Sequence, residues 1–316
     1  MIDEIQFNEA AHSYSDGTER KYTSVTTLIG KYTNTFDTEF WAMYTAMKDH
    51  GYTVKPVPEK REIYCNNVKY KVEMLLKDST FKYWYAEIIA KWNGLTAEAC
   101  QRGNITHNAL EDSINLSKGD ISGNTNRGIY RGGNVNAKTI KTMHDLESTR
   151  LQEDYPIVYE RLKGYIERGF SIYAEKKVHL PEYSIAGMID VPLFIGDHFA
   201  ILDWKTNKNE LHKTSGYYKK VKVQGKWVKS KEWVETGETF KYPLDNLEAS
   251  KFNIYSLQLS LYSYILEQWG YKPLNNHLEI IHFPLDEAPR LIKVPYLRKE
   301  VEIMLEHHKQ ELLNVG

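Results

Sequence analysis

The apolar positions of the chain change their period along its length. "IQFNEAAHSYSDGTERKYTSV" alternates apolar and polar residues around "SDGT", which predicts a β-hairpin. "SVTTLIGKY" and "DTEFWAMYTAMKDHG" carry helical spacing, the second ending at Gly51. Residues 52–62 hold two prolines and several charges and read as a loop. Helical spacing resumes from Asn66 to Leu116, with breaks expected near Asp78 and Gly94. Thr96 is the expected N-cap of the last helix; Ala99 at the third helical position excludes a capping box. "SKGDISGNTNRGIYRGGNVNA" follows, a loop by composition, and both a surface connection and an active-site lid are open readings of it. Helices continue to about Arg168.

Beyond that point the period shortens to that of strands. "FSIYAEKKVHL", "YSIAGMIDVPLFI" and "HFAILDWKT" predict three strands in succession. A lysine-rich segment comes next, then a helix around "IYSLQLSLYSYILEQWG". "HLEIIHFPL" and "PRLIKVPYL" predict two further strands, and the chain closes on a helix. Strands interleaved with helices predict an α/β protein with a mixed sheet flanked by helices. The expected division is an N-terminal hairpin and helical portion over residues 1–95 and a core over 96–316. The core carries a basic hairpin insertion at about 211–236.

Composition narrows the chemistry. The 316 residues carry a net charge of −1, so any nucleic-acid surface must be a local patch. Only two cysteines are present, Cys65 and Cys100, which excludes a disulfide scaffold and a four-cysteine zinc or iron–sulfur site from this chain alone. A reduced, cytoplasmic setting is expected. The acidic "MIDEIQFNEA" has no apolar run, and no stretch approaches a membrane span. There is no phosphate-binding GxxxxGK[ST] loop, so no ATP-driven motor is expected.

The segment "GMIDVPLFIGDHFAILDWKT" places Asp190, Asp203 and Lys205 on the arms of an apolar hairpin. Gly196-Asp197 reads as its two-residue turn. Counting the ladder outward from Ile195 opposite His198 brings Asp190 opposite Asp203, with Lys205 on the same face as Asp203. Carboxylates facing each other across a sheet repel. A divalent cation, magnesium first, would relieve that repulsion, with Lys205 beside developing negative charge. Alternatively both acids lie on a wet face, screened by Lys205. The pairing alone leaves both readings open, because one slip of register removes it.

These residues carry a resemblance. Asp190, then Asp203-x-Lys205, resembles the PD-(D/E)xK nuclease signature. The spellings "GMID" and "ILDWKT" resemble its RecB-type exonuclease branch. Two further motifs stand in that family's order. "RGNITHNALE" puts His107 and Glu111 one helical turn apart and resembles the motif whose His is a metal ligand. "QLSLY" puts Gln258 and Tyr262 on one helix face and resembles the Q-x-x-x-Y motif beside the catalytic lysine and the DNA backbone. The same motifs occur in CRISPR adaptation exonucleases and the mitochondrial genome maintenance exonuclease. "F-x-x-x-x-H-x-Y-x-D-G" (Phe7 to Gly17) followed by "SVTTLI" looks like phage-encoded members, which implies a bacterial host cytoplasm.

The resemblance implies a PD-(D/E)xK, restriction-endonuclease-like core and a metal-dependent deoxyribonuclease acting in replication, recombination or repair. It implies His107, Asp190, Asp203 and the Trp204 carbonyl as ligands of one or two Mg2+ or Mn2+ ions. Glu175 is an additional or water-mediated ligand, Lys205 is catalytic, and Gln258 and Tyr262 stand beside it. In this mechanism metal-activated water attacks phosphorus in line. Many relatives hold an iron–sulfur cluster on four cysteines; this chain departs from them and is expected to be cluster-free. An exonuclease is the expected activity, with an endonuclease on the same core or a non-catalytic DNA-binding protein as alternatives. Expected partners are single-stranded or end-containing DNA and replication or recombination proteins.

From Leu211 to Lys231 there are seven lysines and no acid. "GYYKKVKVQGKWVKSKEWVE" alternates as a hairpin turning at Gln224-Gly225. Lys219, Lys220, Lys222 and Lys226, interleaved with Tyr217, Tyr218 and Trp227, suit a ribbon that tracks phosphates and stacks bases. Arg102 is a further candidate DNA contact. The alternative is a solvated edge on which lysines discourage strand addition.

Overall fold

The computed structural model describes residues 5–8, 11, 13–115, 139–223 and 226–315. The expected loop over 117–137 and the turn at Gln224-Gly225 lie outside them. The chain is mixed α/β and divides into two compact units, 1–34 with 103–316, and 35–102. Among the described residues no helix is long and apolar enough to cross a membrane.

The N-terminal segment forms β1 (Gln6–Asn8), β2 (Ser13–Ser15), β3 (Thr23–Ser24) and helix α1 (Val25–Tyr32). The main hairpin pairs Phe7 with Tyr14, so it turns before the expected "SDGT". Around "SDGT" only one antiparallel bridge forms, Tyr14 with Tyr22. Asp16 explains the change, because its carboxylate accepts from Thr18 N at 3.0 Å and Tyr22 Oη at 2.8 Å and so folds the turn on itself. Ser24 caps α1 by accepting from Thr27 N.

The 35–102 unit contains α2 (Thr38–Asp49), β4 (Val54–Val57), β5 (Glu62–Cys65), β6 (Val68–Lys71), α3 (Val72–Leu75) and most of α4 (Ser79–Asn115). Its core is Phe40, Met43, Met47, Ile63, Cys65, Val72 and Leu75. Three expectations are corrected here. Residues 52–62 are not a plain loop: Pro56 lies on edge strand β4, where a missing N–H costs no ladder bond. Residues 68–71 are a strand, because Asn66 and Asn67, at φ 48° and 64°, make a left-handed two-residue turn back from β5. Helix α4 runs unbroken through Gly94. A mid-helix glycine costs roughly 1 kcal/mol, which the helix formers around it outweigh. Thr96 is therefore no N-cap; its hydroxyl donates to Trp92 O one turn back, at 3.0 Å.

In the larger unit, α5 (Met143–Glu147), α6 (Leu151–Asp154) and α7 (Pro156–Ile166) precede the strands. Then come β7 (Ser171–Ile172), β8 (Lys176–Leu180), β9 (Ile185–Ile189), β10 (Val191–Ile195) and β11 (His198–Lys205). The basic ribbon is β12 (Gly216–Val223) and β13 (Lys226–Glu235). Helix α8 (Lys251–Gln268), β14 (Lys272–His282), β15 (Arg290–Lys293) and α9 (Arg298–Val315) complete the chain. The central sheet has the order β15-β14-β11-β10-β7. Strand β11 is antiparallel to β10 and parallel to β14.

Two expected strands are each broken in the middle. The first splits into β7 and β8 around Glu175, which has φ 50°, and the second into β9 and β10 at Asp190. The halves before and after each break belong to different sheets: β7 and β10 to the central one, β8 and β9 to a three-stranded sheet with β3. Glu175 N donates to Asp190 O at 2.8 Å, so the two corners lie side by side.

The core has a layer on each side of the central sheet. Phe199 and Ile201 of β11 pack with Leu257, Leu261 and Ile265 of α8. Ala200, Leu202 and Trp204 pack on the other side with Leu162 of α7 and Leu110 of α4. Strand β11 is buried on both faces, which is why its sequence reads as a nearly continuous apolar run.

Candidate active site

The hairpin register is the one expected from a turn at Gly196-Asp197: Ile195 pairs with His198 and Val191 with Leu202. Asp190 is the next residue out and stands at the corner where the chain leaves the central sheet. It bends instead of extending the ladder, and its Oδ2 accepts from Trp204 N at 2.9 Å. Odd-numbered residues of β11 face α8, so Asp203 and Lys205 continue the row of Phe199 and Ile201 toward that helix. The acids are buried, 7% exposed at Asp190 and 1% at Asp203, which excludes the wet-face reading.

Burial dominates the electrostatics. It pushes the carboxyl groups of Asp190 and Asp203 each up to about 6, against the opposing pull of Lys205. It pulls His107 down to about 4, so that imidazole is neutral at pH 7. Burial also acts to lower Lys205, but Asp203 and Asp190 together hold its ammonium above the ordinary value. At pH 7 the pocket therefore holds two carboxylates, one ammonium and one neutral imidazole, a net negative charge.

His107 Nδ1 lies 3.8 Å from Asp190 Oδ2, and the ring hydrogen-bonds the Trp204 backbone. Lys205 Nζ lies 2.5 Å from Asp203 Oδ2. That oxygen is buried, and the Lys205 ammonium is its charge-assisted partner. A hard divalent cation suits this donor set, since two carboxylates and a neutral imidazole match magnesium or manganese and Asp203 Oδ2 retains open lone pairs. Among the described residues, however, no three His, Cys, Asp or Glu side chains converge as a ready-made metal group. Glu175 meets the site through its backbone and also through its carboxylate, whose charge adds to the rise of Asp190 and, after burial, to that of Tyr14, raised to about 12.

Gln258 and Tyr262 lie on α8 and are both buried; Gln258 Nε2 donates to Tyr262 Oη at 3.3 Å. The Tyr262 ring packs against Gly187, where a Cβ would come within 2.6 Å of Cε1. The glycine of "GMID" thus makes room for the tyrosine of "QLSLY". Likewise a Cβ on Gly103 of "RGNITH" would touch Thr206 of "DWKT" at 3.4 Å. Arg102 is partly buried and ends the 35–102 unit.

Sequence reasoning passed over Tyr255. Its ring lies under Lys205 Nζ, 4.7 Å from the centroid, and its hydroxyl donates to Asn207 Oδ1 at 2.7 Å. His282 Nε2 meets Asn207 O at 2.9 Å. The signal was available: residues 255, 258 and 262 recur on one helix face.

The ribbon is antiparallel, with Val223 opposite Lys226 on either side of the expected turn. Lys219 is paired with Glu232 at 2.9 Å. Lys220 stands directly opposite Lys229. The side chains of Lys222, Lys226 and Trp227 lie outside the described residues. Tyr217 is exposed, whereas Tyr218 packs edge-on against Trp233, which stacks on His212 at 3.8 Å. Comparison with protein-family models, curated proteins and solved structures finds no match for this chain.

Proposed function

We propose that the protein is a divalent-metal-dependent deoxyribonuclease of the PD-(D/E)xK type, RecB branch, acting on DNA ends. One observation carries this reading. Four short motifs far apart in the chain meet at one buried, net-negative pocket at the end of β11: His107, Asp190, Asp203 with Lys205, and Tyr262 against Gly187. A structural ion pair needs one acid and one base. This pocket buries a second acid, which costs stability unless a cation enters. The mixed order of the central sheet and the helices on both faces support the same core.

His107, Asp190 and Asp203 would hold Mg2+ or Mn2+, with the Trp204 carbonyl and Glu175 as further oxygen donors. When bound, such an ion supplies Lewis acidity and a water of lowered pKa. The chain's own residues do the rest. Lys205 presents its ammonium to the phosphoryl oxygens as negative charge grows, while Tyr255 fixes its approach. Neutral His107 keeps a lone pair available. Gln258 and Tyr262, being buried, brace the acidic corner. Exposed Lys220 offers the ribbon's charge to the DNA backbone.

A second reading, a DNA-binding protein without catalysis, has one observation in its favour: Lys205 closes on Asp203. A time course on end-labelled single- and double-stranded DNA, with and without Mg2+ or Mn2+, separates the two. Asp203→Asn serves as the control that keeps shape and removes charge. The nuclease reading expects metal-dependent cleavage lost in the variant while DNA binding survives. Cleavage at the parental rate in the variant refutes the site, and resistance of a covalently closed circle distinguishes an exonuclease from an endonuclease.

A further inference from the structure

Between the ribbon and the loops that follow β11 and β14 lies an open cleft of about 500 Å3. Lys229 and Lys231 line it from the ribbon, Lys208 from the loop after β11, and Glu210, Asp286 and Glu287 complete its charged lining. Arg290 reaches Glu210 at 3.7 Å and also bonds Glu287, so its single charge offsets one of the three acids and leaves two against the three lysines. The lysines make no ion pair. Among the described residues Lys208, Lys220 and Lys231 have no acid within ion-pair distance, and Lys229 meets neutral groups, Asn209 Oδ1 and the Tyr218 ring at 3.7 Å. Lys220 and Lys229 face each other directly across the ladder, a like-charge pair that costs stability without an anion. Burial first, then the nearby Lys208, hold Lys229 below the ordinary lysine range against the opposing pull of Glu287.

The position of the cleft gives the anion its chemistry. Lys208 follows Lys205 by three residues, so their Cα atoms are at most about 10–11 Å apart. That is the reach of one or two nucleotides of extended backbone. The cleft also opens beyond the carboxyl ends of the parallel pair β11 and β14, where open α/β sheets take their ligands.

We propose that this cleft is a phosphate subsite, in which Lys208, Lys229 and Lys231 hold a phosphate of the nucleic-acid strand one or two nucleotides from the bond presented to Asp190 and Asp203. The assignment rests on the nuclease reading for its ligand but not for its test. Binding of a fluorescent single-stranded oligonucleotide, with 5′-phosphate or 5′-hydroxyl, is measured in EDTA across a salt series. The parental protein is compared with the triple variant Lys208→Gln, Lys229→Gln, Lys231→Gln and with a control carrying Lys241→Gln, Lys293→Gln, Lys299→Gln. Each phosphate neutralised on a single strand contributes about 0.7 to the slope of log affinity against log salt, so the triple variant, losing the one phosphate its lysines hold, is expected to flatten it by about 0.7 and the control not at all. Equal loss for both oligonucleotides assigns the cleft to the backbone; loss confined to the 5′-phosphorylated one assigns it to a strand end. An unchanged slope, or equal loss in the control, overturns the proposal. Cleavage of the same oligonucleotides in Mn2+ is read in parallel. Parental cleavage with an unchanged slope in the triple variant removes the subsite and leaves the nuclease. A flattened slope without parental cleavage removes the nuclease and leaves an anion-binding cleft.

Discussion

Asp190 concentrates the conflict between stability and chemistry at this site. It is buried beside a second carboxylate, and burial raises it to about 6. The unfolded carboxyl titrates near 3.9, so between about pH 4 and 6 the folded protein binds the extra proton. Stability contributed by this group therefore falls as pH rises through that window and stays low above it. Asp190→Asn keeps an oxygen for Trp204 N and removes the charge. In EDTA at pH 7.5 its thermal midpoint is expected to exceed the parent's by roughly 1–2 °C, the shift that about 1 kcal/mol gives in a protein of this size. At pH 4 the two should coincide. A variant less stable at pH 7.5 would mean that Asp190 is a structural partner of Lys205 and no strained ligand. Lys205 makes the complementary prediction. On the proposed nuclease reading its charge would meet the transition state more than the ground state, so Lys205→Ala is expected to lower turnover by orders of magnitude with DNA affinity nearly unchanged. Single-turnover cleavage and anisotropy decide between that and a simple phosphate anchor.

Elements show which parts of the chain were legible before folding. The hairpin of β10 and β11 was, because its turn and its ladder are local: Gly196-Asp197 fixes the register and two-residue periodicity does the rest. The breaks at Glu175 and Asp190 were not. "SIAGMIDVPLFI" is buried almost throughout, and apolar residues on both sides of Asp190 carry no mark of which sheet each half joins. The Asn66-Asn67 turn was legible in principle and was covered by a helical reading of the residues after it. Gly94 misled because one glycine costs less than a long helix gains. What sequence spacing could not show is why motifs recur together, and packing supplies the reason at Gly187. An alanine there drives its Cβ to 2.6 Å from Tyr262 and 3.1 Å from Val25. Gly187→Ala is expected to cost about 1–3 kcal/mol in denaturant unfolding, the usual penalty of overpacking. In a double-mutant cycle with Tyr262→Leu, the coupling should reach about 1 kcal/mol. Additive losses would show that the ring and the glycine are independent.

At the scale of the whole molecule the net charge is −1, so affinity for a polyanion depends on where lysines gather, not on the total. The same holds for cations: the pocket buries two carboxylates, Asp190 and Asp203, together. A ligand that binds only the folded state stabilises it by RT ln(1 + [L]/Kd), about 2.7 kcal/mol at a hundredfold excess over Kd. Mn2+ is therefore expected to raise the thermal midpoint at pH 7.5, and Ca2+ to do so without supporting turnover, because its looser coordination orients water poorly. Protons compete for the same oxygens. Asp203 and Asp190 each titrate at about 6, so the shift should shrink at pH 5.5, where both are largely protonated. His107, lowered to about 4, stays neutral at both values and adds no competing slope there. Asp203→Asn should show no metal shift at either pH. A metal shift that is equal at pH 5.5 and 7.5, or that survives Asp203→Asn, would place the cation elsewhere on the chain and leave the paired acids without their counter-ion.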